Sequence, residues 1–166
     1  MKIEEVNLTK EILHEIKKLD DLFYGEDEFG IDWYLSKYTD RNKGFVLFND
    51  DSEIVGYGIP APIKKEYYDA LYNGVIISDL YVNSNMYLES SDYYYISSMV
   101  IKEEYRNLGF GERLAKLMIA DGKKNVALTV SKKGAHIISK YMKHHLKVND
   151  FTNIFINKWL RRYVWI

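Results

Sequence analysis

Residues 93–123 place the tightest limits on what this chain can become. They open with a nine-residue strand pattern, YYYISSMVI at 93–101, rich in aromatic and β-branched residues. A charged stretch at 102–110 follows and ends in glycines, with Gly109 and Gly111 two apart. From Gly111 to about residue 123 the pattern turns helical, with Leu114, Leu117 and Met118 expected to face inward. A further strand is expected at 125–130. A strand, a tight turn, a helix and a second strand in that order call for a sheet with helices packed on it.

The flanking sequence extends that plan. Residues 2–6 read as a strand, and Thr9 can cap a helix running to about Phe23 with Ile12, Ile16, Leu19 and Phe23 on one stripe. An acidic, glycine-bearing loop (GEDEFGID) leads into a short helix at 31–37 that turns Trp33 and Tyr34 inward. Strands at 44–48 and 53–59 form a hairpin around Asn49, Asp50, Asp51 and Ser52. Gly56 and Gly58 mark a bulge or a close backbone approach, and Pro60 and Pro62 are expected to end the strand. A helix at 64–72, a strand at 75–82 and an irregular loop at 83–92 follow. After the 125–130 strand come a helix at 132–144, a brief strand at 146–148 and an antiparallel strand at 151–160. The expected class is α/β of the mixed α+β kind: one domain over residues 1–166, with a mostly antiparallel central sheet flanked by helices. The chain has fifteen tyrosines, many in the middle section. Such a cluster either lines a cleft, presenting hydroxyls on an apolar wall, or packs at an edge.

Composition narrows the function classes. Apolar residues make up 47% of the 166 and charged residues 28%, a soluble globular balance with enough chain for a sizeable core. Cysteine is absent, which removes disulfides, thiol nucleophiles and thiolate metal sites and fits a reducing compartment. The first ten residues, MKIEEVNLTK, lack the apolar run of a secretory signal, and no stretch nears 18 apolar residues. The expected location is cytoplasmic. Charge is uneven: residues 123–166 carry ten Lys or Arg and one acidic residue, the rest thirteen basic and twenty-three acidic. A basic region of this kind meets nucleic acid, a membrane surface or a phosphate-bearing cofactor, or else faces the acidic part of its own fold. The net charge of −1 favours the cofactor over a polyanion, so neither nucleic acid nor membrane is expected as a partner.

The chemistry centres on Arg106-Asn107-Leu108-Gly109-Phe110-Gly111. The glycines permit a tight turn and a close ligand approach. The first helical turn beyond them leaves N–H groups free, and the helix dipole adds to their attraction for an anion. A pyrophosphate is the natural guest, with Arg106 positioning phosphates or bracing the loop. A dinucleotide fingerprint would need a third glycine where Leu114 stands, and a P-loop would need Ser or Thr where Lys124 follows Gly122-Lys123.

The Arg-x-x-Gly-x-Gly run, preceded by Met99-Val100-Ile101, resembles the signature of the GCN5-related N-acetyltransferase (GNAT) superfamily. The resemblance covers most of the chain by element order and is specific over about residues 93–146. It implies that the loop from Arg106 and Asn107 through Leu108, Gly109, Phe110, Gly111 and Glu112 grips the pyrophosphate of acetyl-coenzyme A. It also implies that Met99, Val100 and Ile101 pair with the pantetheine arm. A family pattern Tyr-x-x-x-Gly-Phe appears as Tyr141-Met142-Lys143-His144-His145-Leu146, and makes Tyr141 the general acid toward the leaving thiolate. His145 replaces the glycine, Leu146 stands for the aromatic, and Gly134 occupies a position often held by Asn.

The activity so implied is acetyl transfer from acetyl-coenzyme A to a primary amine of a small molecule or peptide, with a lean toward a small cationic acceptor. A backbone N–H at 99–101 would stabilise the carbonyl oxygen as charge builds. Where some family members carry a glutamate on the central strand, this chain has Ser97 and Ser98, leaving Asp79, Glu89, Asp92 or a water chain as base. No metal is expected; His144 and His145 are placed on a terminating helix, where adjacent side chains diverge. The aromatic, basic tail at 159–166 is expected to pack or to serve a homodimer contact. Two other readings stay open: a noncatalytic acyl-coenzyme A-binding regulatory domain, and a nucleic-acid-binding module using the basic C-terminal part.

Overall fold

The structure, a computed structural model, describes residues 1–24, 30–38, 42–76, 84–150 and 152–157. Seven strands form one sheet in the order β1-β2-β3-β4-β5-β7-β6. They are β1 (Lys2–Asn7), β2 (Lys43–Phe48), β3 (Ile54–Pro62), β4 (Tyr93–Ile101), β5 (Lys124–Thr129), β6 (Met142–Lys147) and β7 (Asn153–Asn157). Every neighbouring pair is antiparallel except β4 and β5, which run parallel because α4 (Phe110–Met118) crosses over between them. The mixed, mostly antiparallel sheet with flanking helices is thus the one expected. Thr9 caps α1 (Lys10–Tyr24), its Oγ1 accepting the Ile12 N–H at 3.4 Å. The hairpin turn is held by Asn49, whose Oδ1 accepts the N–H groups of Asp51 and Glu53 at 3.0 and 2.8 Å.

Two layers of helix cover the sheet. On one face, α1 and α2 (Ile31–Tyr38) bury Leu13, Ile16, Leu19, Tyr34 and Tyr38 against Tyr57, Ile59 and Val100 of β3 and β4. α3 (Lys65–Tyr72) closes the same face further along, with Leu71 against Tyr95, Val126 and Ile154. On the opposite face, α4 and α5 (Lys132–Ser139) pack Ala115, Met118 and Ile138 on Ile96, Ala127 and Phe155. Gly58 leaves room for Met118 there; a Cβ on it would meet the Met118 sulfur at 2.5 Å. The middle tyrosines pack at the α3 edge, with Tyr68 against Tyr72 and Tyr93 at ring separations of 6.1 and 5.1 Å.

Four details depart from the sequence expectation. β3 continues through Pro60 and Pro62, because the neighbouring Ile63 N–H is the one turned to β4 and β2 pairs with β3 only as far as Gly58, so the prolines' missing N–H groups break no ladder. α4 stops at Met118, about a turn early: the buried Asn125 side chain accepts from the Ala120 N–H and donates to the Ala120 and Lys123 carbonyls, and so fixes a turn there. Leu117 points outward, and Ala115 takes the inward place. α5 ends at Ser139, and residues 142–147 are strand rather than helix, paired with β7 from Met142↔Asn157 to Lys147↔Asn153. His144 and His145 therefore lie on a strand. The strand expected at 75–82 falls mostly on residues outside those described, as does the 159–166 tail; Val75 and Ile76 form a turn, with both N–H groups on the Ala70 carbonyl.

Candidate active site

β4 and β5 begin together and then part. Their register runs from Tyr93↔Lys124 to Ile96↔Ala127 and stops, although β4 continues to Ile101 and β5 to Thr129. Beyond Ile96, β4 still pairs with β3 as far as Ile101↔Gly56, so its other edge carries Met99, Val100 and Ile101 past the end of its partner. An extended chain can add its own hydrogen bonds along such an edge. The opening lies at the end of β4 that leads into the glycine loop.

That loop is folded back onto the strand. Arg106 donates from Nε to the Ile101 carbonyl at 2.9 Å, and its guanidinium sits 4.7 Å from the centre of the Phe23 ring. Of the two roles open to Arg106, bracing is the one the geometry displays. Asn107 has a φ of 63° and Gly109 a φ of 82°, so the chain twice takes the left-handed conformation before α4 starts. Asparagine and glycine are the residues that do this most cheaply. Asn107, Leu108 and Gly109 are exposed. The first hydrogen bond of α4 runs from the Arg113 N–H to the Gly109 carbonyl at 3.2 Å, so the amides of Phe110, Gly111 and Glu112 precede the helical ladder. Gly111 also serves the packing of the helices, since a Cβ there would meet Ile137 at 3.1 Å; its absence lets α4 approach α5. Glu112, in the first turn of α4, is ion-paired to Lys140, which offsets its charge.

Tyr141 follows α5 and immediately precedes β6. Its amide donates to the Ile138 carbonyl at 3.0 Å, and its half-buried ring packs against the buried cluster of Ile96, Ala115, Ile138 and Met142, as do Met99 and Ile137. It therefore shares a side-chain cluster with the open edge of β4. Gly134 lies in the first turn of α5, its N–H capped by Ser131 Oγ at 3.0 Å. His145 is turned to α3, with a ring nitrogen 3.0 Å from the Tyr72 carbonyl and its ring 4.0 Å from that of Tyr72. His144 contacts Asn153 Oδ1 at 3.2 Å. Among the described residues no three His, Asp or Glu are grouped to hold a metal.

The carboxylates considered as bases fare differently. Asp92 pairs with Lys123 at 2.7 Å, which holds its carboxyl below the usual range, and it precedes β4, about 20 Å of extended chain from Ser98. Glu89 is exposed and also precedes β4; Asp79 lies outside the described residues. A carboxylate that the sequence motifs do not single out reaches the bulged part of β4 through Tyr57. Asp20, on α1, is only 6% exposed and accepts hydrogen bonds from Tyr34 and, at 2.5 Å, from Tyr57. Burial lifts its pKa to about 7, opposed by the Tyr57 hydrogen bond and by Lys17 and Lys37, and reinforced by Asp21. The Tyr57 hydroxyl also meets Ser98 Oγ at 2.7 Å, and Tyr38 meets Ser97 Oγ at 2.5 Å. A signal did exist: Asp20 stands four residues after Ile16 and three before Phe23, on the apolar stripe of its helix.

A sequence model of the acetyltransferase (GNAT) family matches residues 10–145, which is most of the chain. The chain belongs to the GNAT family. No curated protein sequence matches it significantly. Among solved structures, a GNAT-like decarboxylase, GphF, in complex with isobutyryl-CoA superposes with a TM-score of 0.69 at 13% identity, covering 95% of this chain and 98% of that one. A phosphinothricin acetyltransferase from Sinorhizobium meliloti in complex with acetyl-CoA gives 0.58 at 10% identity, with 95% and 88% covered. The diaminobutyrate acetyltransferase EctA from Paenibacillus lautus, bound to L-2,4-diaminobutyric acid and coenzyme A, gives 0.58 at 8% identity, with 94% of each chain covered. At these identities the likeness is one of fold.

Within the GNAT pattern this chain departs at three places already described. Gly134 offers no side chain where Asn is frequent, and a Cβ there would press on Ser131 Oγ at 3.0 Å. His145, in the glycine position, is occupied with α3. The central strand carries hydroxyls rather than a carboxylate at 97 and 98, and the Ser98 hydroxyl leads to Asp20 through Tyr57.

Proposed function

We propose that this GNAT chain transfers an acyl group, acetyl first among them, from acyl-coenzyme A to a primary amine. The observation that carries the reading is the parting of β4 from β5 after Ile96↔Ala127, beside a loop that Arg106 ties to the end of β4 and that leads into α4. The amides of Phe110, Gly111 and Glu112 suit a pyrophosphate, and the exposed backbone from Leu108 to Gly109 lets it approach. The free edge at Met99, Val100 and Ile101 suits the amides of a pantetheine arm. Acetyl-coenzyme A supplies the thioester carbonyl that the amine attacks. An N–H on the same edge stabilises the carbonyl oxygen as it gains charge. Tyr141 donates its phenolic proton to the departing thiolate.

The acceptor class follows from charge. The part of the chain before residue 123 carries ten more acidic than basic residues, which favours a cationic amine over an anionic one. A small amine or a peptide amine is the acceptor proposed. The test is thiol release from acetyl-coenzyme A across a panel of small amines and peptides, in the native chain and in Tyr141→Phe. Turnover with at least one amine is expected, reduced about 100-fold in the variant with acetyl-coenzyme A affinity unchanged. Tight binding without turnover on any amine would instead identify a noncatalytic acyl-coenzyme A-binding domain.

A further inference from the structure

The bulge in β4 has a consequence for side-chain direction. Ile59 pairs with Ser98 and Pro60 with Ile96, so Ser97 is the extra residue. Ile96 and Met99 both pack on the α4–α5 face, although three residues apart they would normally point to opposite faces. The bulge accounts for this by turning Ser97 and Ser98 together to the α1–α2 face. Both hydroxyls indeed find tyrosines there, Ser97 with Tyr38 and Ser98 with Tyr57. Ser97 is buried, whereas Ser98 is partly exposed and sits where β5 has just left β4.

We infer that Ser98, Tyr57 and Asp20 form a proton relay leading from the open edge of β4 into the α1–β3 interior, with Asp20 as the terminal acceptor of the proton lost by the substrate amine. The inference rests on the acyl-transfer reading and supplies its missing base. The links are hydroxyl to hydroxyl at 2.7 Å and hydroxyl to carboxylate at 2.5 Å. With Asp20 ionised, Tyr57 donates to it and Ser98 donates to Tyr57, which leaves the Ser98 lone pairs to receive the amine proton. As the nitrogen–carbon bond forms, the amine N–H proton passes to Ser98 Oγ. The Ser98 proton passes to Tyr57, and the Tyr57 proton to Asp20 Oδ1. Both hydroxyls end neutral, the carboxylate ends as the acid, and solvent later removes that proton.

The surroundings suit proton transfer. Lys17 and Asp21 of α1, Lys37 and Tyr34 of α2 and Tyr57 of β3 face Asp20, and Tyr38 of α2 faces Tyr57. A carboxyl that changes state near neutrality can both take and release a proton at ordinary pH. Tyr57, buried and beside Asp20, has its own pKa raised, so it passes protons without resting as a phenolate. Asp20 acts through Tyr57 and Ser98 and is a positioning residue rather than one that meets substrate.

The experiment uses the whole chain with acetyl-coenzyme A and the amine panel. The native kcat–pH profile is expected to fall on its acid side with a midpoint near 7. Asp20→Asn and Ser98→Ala should each lower kcat about 100-fold and flatten that limb, and the double variant should lose little more. Acetyl-coenzyme A affinity by calorimetry should stay within about twofold. Ser98→Ala, at a partly exposed position, keeps the test in force if Asp20→Asn does not fold. If turnover persists with kcat and the acid limb intact in both variants, the relay is wrong and acyl transfer stands. If the native chain binds acetyl-coenzyme A but turns over no amine, both fall.

Discussion

Asp20 makes a second demand at the scale of a single residue. Its pKa in the fold is about 7 against an ordinary 3.8, so the folded chain holds a proton that the unfolded chain has lost. Stability is therefore full below about pH 4, falls as pH rises toward 7, and is level above it. A carboxyl raised that far above its ordinary value corresponds to about 4 kcal/mol as an upper bound. Denaturant melts from pH 4 to 8 should show this decline in the native chain, and Asp20→Asn should remove most of it. A native stability that rises over that range would mean the carboxylate is well solvated. The sequence displayed Asp20 on an apolar stripe but not its partners, because Tyr34, Tyr57 and Ser98 lie 14, 37 and 78 positions away. The loop glycine was legible for the opposite reason: the φ of Gly109 is a local property of the turn.

Among elements, those with one dominant pattern were readable. β4 has nine residues that suit only a strand, and α1 pairs its stripe with a cap at Thr9. Residues 140–147 were not readable, since Ile137, Ile138 and Tyr141 continue a helical spacing while Met142, His144 and Leu146 alternate. Pairing with β7 decides between them, and that partner comes later in the chain. The early end of α4 has a nameable cause in Asn125, fully buried and bonded three times to the following turn. Asn125→Ala leaves those backbone groups without their partners and should cost about 2 kcal/mol, measured by urea denaturation. A change under about 0.5 kcal/mol would mean water replaces the side chain.

At the scale of the molecule, the order of elements among the described residues and the mixed sheet followed from the sequence. The two features that make a site did not. The parting of β4 from β5 is a register event between strands joined by a helix, and the bulge that turns Ser97 and Ser98 together is visible only in the pairing with β3. The basic C-terminal part and the acidic remainder belong to one sheet, with Lys123 on Asp92 and Lys140 on Glu112 joining the two compositions. The central claim is that this opening holds acyl-coenzyme A with its pyrophosphate on the first turn of α4. Titrating acetyl-coenzyme A into the isotope-labelled chain and following backbone amide resonances tests it most directly. The largest shifts are expected at Phe110, Gly111 and Glu112 and along Met99, Val100 and Ile101. Saturable binding that leaves those six amides unmoved, with the shifts elsewhere, would contradict the account.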